Sequence, residues 1–268
     1  MDFNKVIFMT DLDGTLLTDD KKIIDKDLAA IERFRSGGGM FTVATGRGCA
    51  MAKPVAQRLG LSLPAVVFNG AAVFDFAEDK FLWQCEIGAQ ARDYFLRLTE
   101  RYPDMLGVEV LHEQTIYVPF MNDREREHLD LEKILPDERP LCDIPDGGWL
   151  KVLLAAEPTL LDEIERFVIE EGMTDCQWVR SAPMYFECLP RNVDKSAGFA
   201  QLIKLLGAQN RFTVAAGDYM NDTAMIAKAD LGAAVAGAQP DVKAAADIVV
   251  CDNNSGAIAQ IIDYIEKM

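Results

Sequence analysis

The chain has 268 residues, 50% of them hydrophobic and 26% charged, with a formal net charge of -16. That composition is globular and excludes a disordered chain, and the length suits one large or two modest domains with a sizeable core. Acidity on this scale leaves no basic face for a phosphate backbone or anionic lipid, so neither nucleic acid nor membrane is an expected partner. No segment approaches the length of a membrane span. The apolar run Val6–Thr10 is too short for a signal peptide, and charge follows it at once. Six cysteines stand far apart without a CxxC pair, which reads as free thiols in a reducing compartment; a cytoplasmic location is expected. The only histidines are His112 and His128, and no GxSxG elbow occurs, so acid–base chemistry is expected to fall to carboxylates.

In chain order, Val6–Thr10 reads as a strand and Lys26–Ser36 as a helix stopped by Gly37-Gly38-Gly39. Met40–Ala44 is the next strand, Cys49–Leu59 a helix despite Pro54, and Ala65–Phe68 a third strand before an Asn69-Gly70 turn. Nearly continuous apolar strands alternating with helices predict a parallel sheet covered on both faces. From about Phe81 the texture changes. Ala89–Arg101 is an amphipathic helix, Val108–Val118 an alternating stretch, Asp123–Leu135 a charged helix, and Pro136–Gly148 a loop. Leu150–Ala155 reads as a strand, Leu160–Glu171 as a helix, and Cys176–Ser181 with Met184–Leu189 as a strand pair, together an α+β module with a partly solvated sheet. After Pro190 the first texture returns: helices over Ser196–Leu206, Asp222–Ala229 and Ala257–Met268, strands over Phe212–Ala216, Leu231–Val235 and Ile248–Val250. The expected architecture is a Rossmann-like, doubly wound α/β core made of residues 1–83 and 190–268, interrupted after its third strand by an inserted α+β domain over 84–189.

Three core strands end in unusual polar residues: Asp11 and Asp13 after the first, Thr45-Gly46-Arg47 after the second, and Gly217-Asp218 with Asn221-Asp222 after the Phe212–Ala216 strand. The carboxyl ends of parallel strands line the ligand crevice of an open sheet, so these stretches converge. Each has a bland counterpart. Asp11 and Asp13 can belong to a solvated turn, Thr45-Gly46-Arg47 can cap the next helix, and Asn69-Gly70 can be only a turn. An EF-hand reading of Asp-Leu-Asp-Gly fails, because its glycine and glutamate fall at the wrong positions. Concentrated carboxylate charge is tolerable around a hard divalent cation, and magnesium suits carboxylates together with a substrate phosphate. Lys195 opens a helix where the dipole disfavours a cation, which marks it above its competitors Lys151 and Lys243 as the group that steadies a phosphate.

Asp-Leu-Asp-Gly-Thr at 11–15, Ala-Thr-Gly-Arg at 44–47, Lys195, and Gly-Asp-x-x-Asn-Asp at 217–222 resemble, in order, the four motifs of haloacid dehalogenase superfamily phosphatases. The large insert resembles the cap of the Cof-type subclass. The resemblance implies a magnesium-dependent phosphomonoesterase acting on small phosphorylated metabolites, sugar phosphates foremost. It implies Asp11 as the nucleophile that becomes an aspartyl-phosphate, and Asp13 as general acid and then base. Thr45, Gly46, Arg47 and Asn221 are implied to bind phosphate or substrate, and Lys195 to steady Asp11. Magnesium is implied to be held by the Asp11 side chain, the Asp13 carbonyl and Asp218, with Asp222 supporting it from behind. Position 255 is Ser where many relatives carry Asp.

Two other functions fit the same motifs: a sugar phosphomutase or phosphotransferase, and a catalytically silent phosphate sensor. The presence of Asp11, Asp13 and Asp218 argues against the silent reading. The cap is expected to close over the core and exclude water. Tyr117, Arg180 and Tyr185 are its candidate specificity residues.

Overall fold

The structure, a computed structural model, describes residues 1–113 and 115–268. The chain opens with β1 (Val6–Thr10), α1 (Asp25–Ser36), β2 (Met40–Val43), α2 (Cys49–Arg58), β3 (Ala65–Val67), β4 (Ala72–Asp75) and β5 (Lys80–Gln84). It continues through α3 (Ala89–Arg101), β6 (Gly107–His112), β7 (Thr115–Phe120), α4 (Asp123–Glu132), β8 (Trp149–Ala155), α5 (Pro158–Glu170), β9 (Cys176–Ala182) and β10 (Tyr185–Pro190). It ends with α6 (Lys195–Leu205), β11 (Phe212–Gly217), α7 (Thr223–Lys228), β12 (Leu231–Val235), α8 (Pro240–Ala245), β13 (Ile248–Val250) and α9 (Ala257–Lys267). Two compact units emerge: residues 1–47, 52–83 and 194–268, and residues 84–193 with the short piece 48–51. Among the described residues no helix is long and apolar enough to cross a membrane.

The first unit is built on a parallel sheet of order β13-β12-β11-β1-β2. Strand β1 explains why its strands carry so few polar residues. Val6 and Phe8 point to one face, where they meet Phe34 of α1 and the isoleucines of α9; Ile7 and Met9 point to the other, against Phe199 and Leu202 of α6. With a helical layer on each side, both faces of the strand are dry, and all five residues are buried. Phe8 sets its ring edge-on to Phe34 and Phe41, which ties α1 and β2 to the centre of the sheet.

Two strands go beyond the sequence reading. β4 and β5 follow β3 in a separate three-stranded sheet, so the second unit leaves the first after β5 and not after the third strand. Four- and five-residue strands offer too few alternations to be legible; Phe74 holds them together by packing its ring against Phe76 and Phe81.

The second unit is an antiparallel sheet of order β7-β6-β8-β10-β9. The alternating stretch expected over Val108–Val118 is two strands, β6 and β7, and Gln114 within it lies outside the described residues. One face of this sheet carries Val108, Val110, Val152, Leu154 and Phe186, which form an apolar cluster with Phe95 of α3 and Leu161 and Ile164 of α5. The opposite face carries Glu109 and Glu187, both in register with Leu153, and Lys151 two residues before Leu153 on β8, with α4 lying against β6. The expected partly solvated sheet is therefore so only at its margin: β8 is buried along its whole length, whereas β9 is half-buried after Cys176.

Candidate active site

The order of the first sheet reverses at β1, with β2 on one side and β11, β12 and β13 on the other. A doubly wound sheet opens a crevice at that point, beyond its carboxyl ends. Asp11 stands there. Its amide donates to the Ala216 carbonyl at 2.9 Å, one rung past the end of β1, so the β1–β11 ladder itself sets its position.

Lys195 is the first residue of α6, whose N-terminus Asp194 caps by accepting from the Ala197 amide at 2.7 Å. The helix dipole disfavours a cation at this position, and two carboxylates compensate it. Lys195 Nζ, only 1% exposed, donates to Asp11 Oδ1 at 2.5 Å and to Asp222 Oδ1 at 2.6 Å. The second oxygen of Asp222 accepts from the Asp218 and Tyr219 amides at 3.0 and 3.1 Å. Asp218 Oδ1 accepts from the Thr15 hydroxyl at 3.0 Å. Gly14 makes this possible: at φ +75° a side chain is strained, and a Cβ would come within 2.4 Å of Asp218 Oδ2.

One oxygen each from Asp11, Asp218 and Asp222 lies within 4.8 Å of the others. Three carboxylates thus share one ammonium. Burial drives the Asp11 carboxyl well above the ordinary carboxylate range; Lys195 pulls it down, but burial prevails with the help of Asp222 and Asp218. Burial and then Asp222 raise Asp218 to about 6, against Thr15 and Lys195. For Lys195, burial works against the charge, yet Asp11 and Asp222 outweigh it and hold the ammonium protonated. A cluster of hard oxygen donors with unbalanced negative charge fits a divalent cation such as magnesium.

Asp13 faces another way. Arg47 grips it with a two-point fork, Nε to Oδ2 and Nη2 to Oδ1, both at 2.7 Å, and Lys21 Nζ reaches Oδ1 at 2.7 Å. Burial would raise this carboxyl, but the bonds and charges of Arg47 and Lys21 prevail and hold it below its usual range. Arg47, expected to bind phosphate or substrate, is in this structure engaged with Asp13.

Thr45 is buried at the end of β2, and its hydroxyl accepts from the Arg47 amide at 3.1 Å. The capping turn and the polar strand end are therefore one and the same, and a hydroxyl that accepts there still has a proton to donate. Gly46 packs against Asn69, which accepts from Asn221 Nδ2 at 2.9 Å.

Among the expected residues, Asp11, Lys195, Asp218 and Asp222 form one cluster, and Thr45, Gly46 and Asn221 gather around Asn69. Sequence reasoning gave no role to Thr15, Lys21 or Asn69. Thr15 belongs to the Asp-Leu-Asp-Gly-Thr motif and was open to discovery. Asn69 had a weak signal, in an Asn-Gly turn that ranked as the weakest candidate and in a stretch supporting the family resemblance, and Lys21 had none, being one lysine in a charged loop. The competitor Lys151 is taken by Glu187 at 3.0 Å in the second unit. The three specificity candidates are engaged inside that unit as well: Tyr117 joins its apolar cluster, Arg180 donates to the Ala182 and Pro183 carbonyls, and Tyr185 packs on His128.

Comparison with known proteins identifies the family. Residues 8–262 match the profile of the haloacid dehalogenase-like hydrolases. The chain is 28% identical to the 5-amino-6-(5-phospho-D-ribitylamino)uracil phosphatase YcsE of Bacillus subtilis, covering 95% of this chain and 93% of that one. It is 26% identical to the pyridoxal phosphate phosphatase YbhA of Escherichia coli, covering 96% and 97%. Among solved structures, TM0651 of Thermotoga maritima superposes with a TM-score of 0.84 at 26% identity, over 96% of each chain.

Proposed function

The chain belongs to the haloacid dehalogenase-like hydrolases, and from that premise we propose that it is a magnesium-dependent phosphomonoesterase that works through an aspartyl-phosphate on Asp11. The observation that carries this reading is the Asp11–Lys195–Asp222 bridge beside Asp218, a nucleophile's carboxylate pinned at a strand end by a buried cation.

Asp11 and Asp218 would hold the ion together with the Asp13 carbonyl, while Asp222, with both oxygens already engaged, steadies Lys195 and the Asp218 backbone. When bound, the ion supplies positive charge that keeps Asp11 ionised and offsets charge on the phosphoryl oxygens. Asp11 attacks phosphorus, and the bond to the leaving alcohol breaks while Asp13 delivers a proton to it. Water then attacks phosphorus of the aspartyl-phosphate and gives its proton to Asp13, while the bond from phosphorus to the Asp11 oxygen breaks, releasing inorganic phosphate and the free Asp11 carboxylate. The Arg47 and Lys21 contacts favour the ionised Asp13 that this second half needs. In the first half, the substrate's own anionic group competes for Arg47 and lets Asp13 take up its proton. Thr45, the Gly46 amide and Asn221 hold the phosphoryl oxygens, and Lys195 spreads its charge between Asp11 and the phosphate.

The substrate class is a small phosphorylated metabolite. The named relatives act on a ribitylaminouracil phosphate and on pyridoxal phosphate, both esters of a primary alcohol. Sugar phosphates and phosphorylated vitamins or their precursors are the compounds to screen. With a turned-over substrate and magnesium, rapid acid quenching followed by peptide mass analysis is expected to find the mass of a PO3 unit on the N-terminal peptide at Asp11, and chelation is expected to abolish it. An unmodified peptide during verified turnover removes the proposal.

A further inference from the structure

Asn69 lies outside the four motifs, yet it sits in a run of left-handed backbone. Phe68, Asn69 and Gly70 take φ of 52°, 53° and 103° in succession, and all three are buried. Only glycine enters this region without cost, so two successive side-chain-bearing residues there persist because their surroundings demand it. Glycine at position 69 would adopt the same backbone with less strain. Asparagine tolerates the left-handed region better than most side-chain-bearing residues, so the strain lies chiefly at Phe68, and what marks Asn69 is what its side chain touches.

We infer that Asn69 is a positioning residue that aligns the phosphate-binding groups of two separate loops; the inference rests on the active-site reading above. The Asn69 amide donates to the Thr45 carbonyl at 3.0 Å, and the Phe68 amide to the Arg47 carbonyl at 3.0 Å, which clamps the turn after β2 from both sides. Asn69 Oδ1 lies where it accepts from Asn221 Nδ2 at 2.9 Å and where a Cβ on Gly46 would stand only 2.9 Å away. One of the two amide hydrogens of Asn221 is thereby committed, which fixes the plane of that group and leaves the other to donate. The same corner seats α6: a Cβ on Gly70 would fall 2.0 Å from the Asp194 carbonyl oxygen and 3.0 Å from the Lys195 amide nitrogen. Phe68–Gly70 thus touches the segments that carry Thr45 and Gly46, Asn221, and Lys195. Asn69 sets them relative to one another without itself holding the substrate.

Relief of strain and loss of alignment separate this role from a merely structural one. In Asn69→Gly, thermal unfolding is expected to stay within about 3 °C of the wild type, since lost hydrogen bonds and relieved strain oppose each other. Calorimetric titration with inorganic phosphate and magnesium is expected to show Kd raised at least about tenfold, and kcat/KM for p-nitrophenyl phosphate is expected to fall at least as far. Asn69→Gly/Asn221→Ala is expected to lose no more than about twofold beyond Asn221→Ala alone, because the two residues act as one unit. A larger fall in Tm, a change in phosphate affinity below tenfold, or multiplicative losses in the double variant each overturn the inference. Failure of the phosphatase reading looks different: the wild type binds phosphate but does not turn over ester, or Asp11→Asn stays active, whatever happens at position 69.

Discussion

Each unit buries a knot of ionisable side chains, and the two knots differ in what can offset their charge. In the first, Asp11, Asp218 and Asp222 surround the single ammonium of Lys195. In the second, Glu109, Glu125, Lys151 and Glu187 are all buried on the α4 side of the sheet, with His128 and Tyr185 beside them. Burial and then the neighbouring Glu109 raise Glu125 to about 9, which favours its neutral form at neutral pH. Burial and then Lys151 lower His128 to about 4, against the pull of Glu187, so the imidazole is neutral too. Lys151 pairs with Glu187 at 3.0 Å. The second knot has shed charge by moving protons. In the first, burial pushes Asp11 and Asp218 in the same direction, and a cation from solution is what would hold both ionised. A closed cluster can only neutralise itself, whereas a cluster of hard oxygen donors can instead stay ionised by binding a counter-ion.

Breaking the first knot at its centre is the severest test. Asp11→Asn is nearly isosteric and removes a charge that burial opposes, so the protein is expected to fold while turnover falls by at least about 10^4-fold, read as kcat on any accepted substrate. Removing the compensating charge attacks stability instead. Lys195→Met leaves Asp11 and Asp222 facing each other without their ammonium, at a cost on the order of 3–5 kcal/mol, seen as a Tm roughly 10 °C lower. Because both carboxyls would then be protonated more readily in the folded state than in the unfolded one, that deficit is expected to shrink as pH falls toward 4. A deficit that does not depend on pH would mean that Lys195 is not their charge partner.

Glu125→Gln sharpens the contrast from the other side. The folded-state pKa of Glu125 is about 9 against an ordinary value of 4.5. Its contribution to stability is therefore complete below the ordinary value and is lost as pH rises through the folded one. A glutamine keeps a donor toward Glu109 and cannot ionise. The variant is expected to match the wild type near pH 4 and to exceed it by ~3 kcal/mol at pH 7, read from denaturant midpoints across that range. Equal stability at both pH values would show that Glu125 does not hold a proton in the native state.

Much of this was legible in the chain because the signals are local. β1 is an unbroken apolar run because both of its faces are covered, and a run of that kind needs no tertiary knowledge to be read as a buried strand. Asp11, Lys195, Asp218 and Asp222 stood out as polar residues at strand ends and at a helix start, where the backbone alone does not explain them. β4 and β5 escaped because a few alternating residues carry too little periodicity, and the buried acids of the second unit escaped because Glu109, Glu125 and Glu187 look like any surface glutamates along the chain.

Residue order thus determined the parallel core, the inserted unit and the set of acids at the strand ends, since hydrophobic period and motif spacing act over a few residues. Only the fold decided which charges meet. Asp11 and Lys195 are 184 positions apart and share a hydrogen bond; Arg47 and Lys21 turn to Asp13; Asn69 meets Asn221 across 152 positions. Electrostatic energy and desolvation depend on distance in space and on the exclusion of water, and neither can be read from separation along a chain.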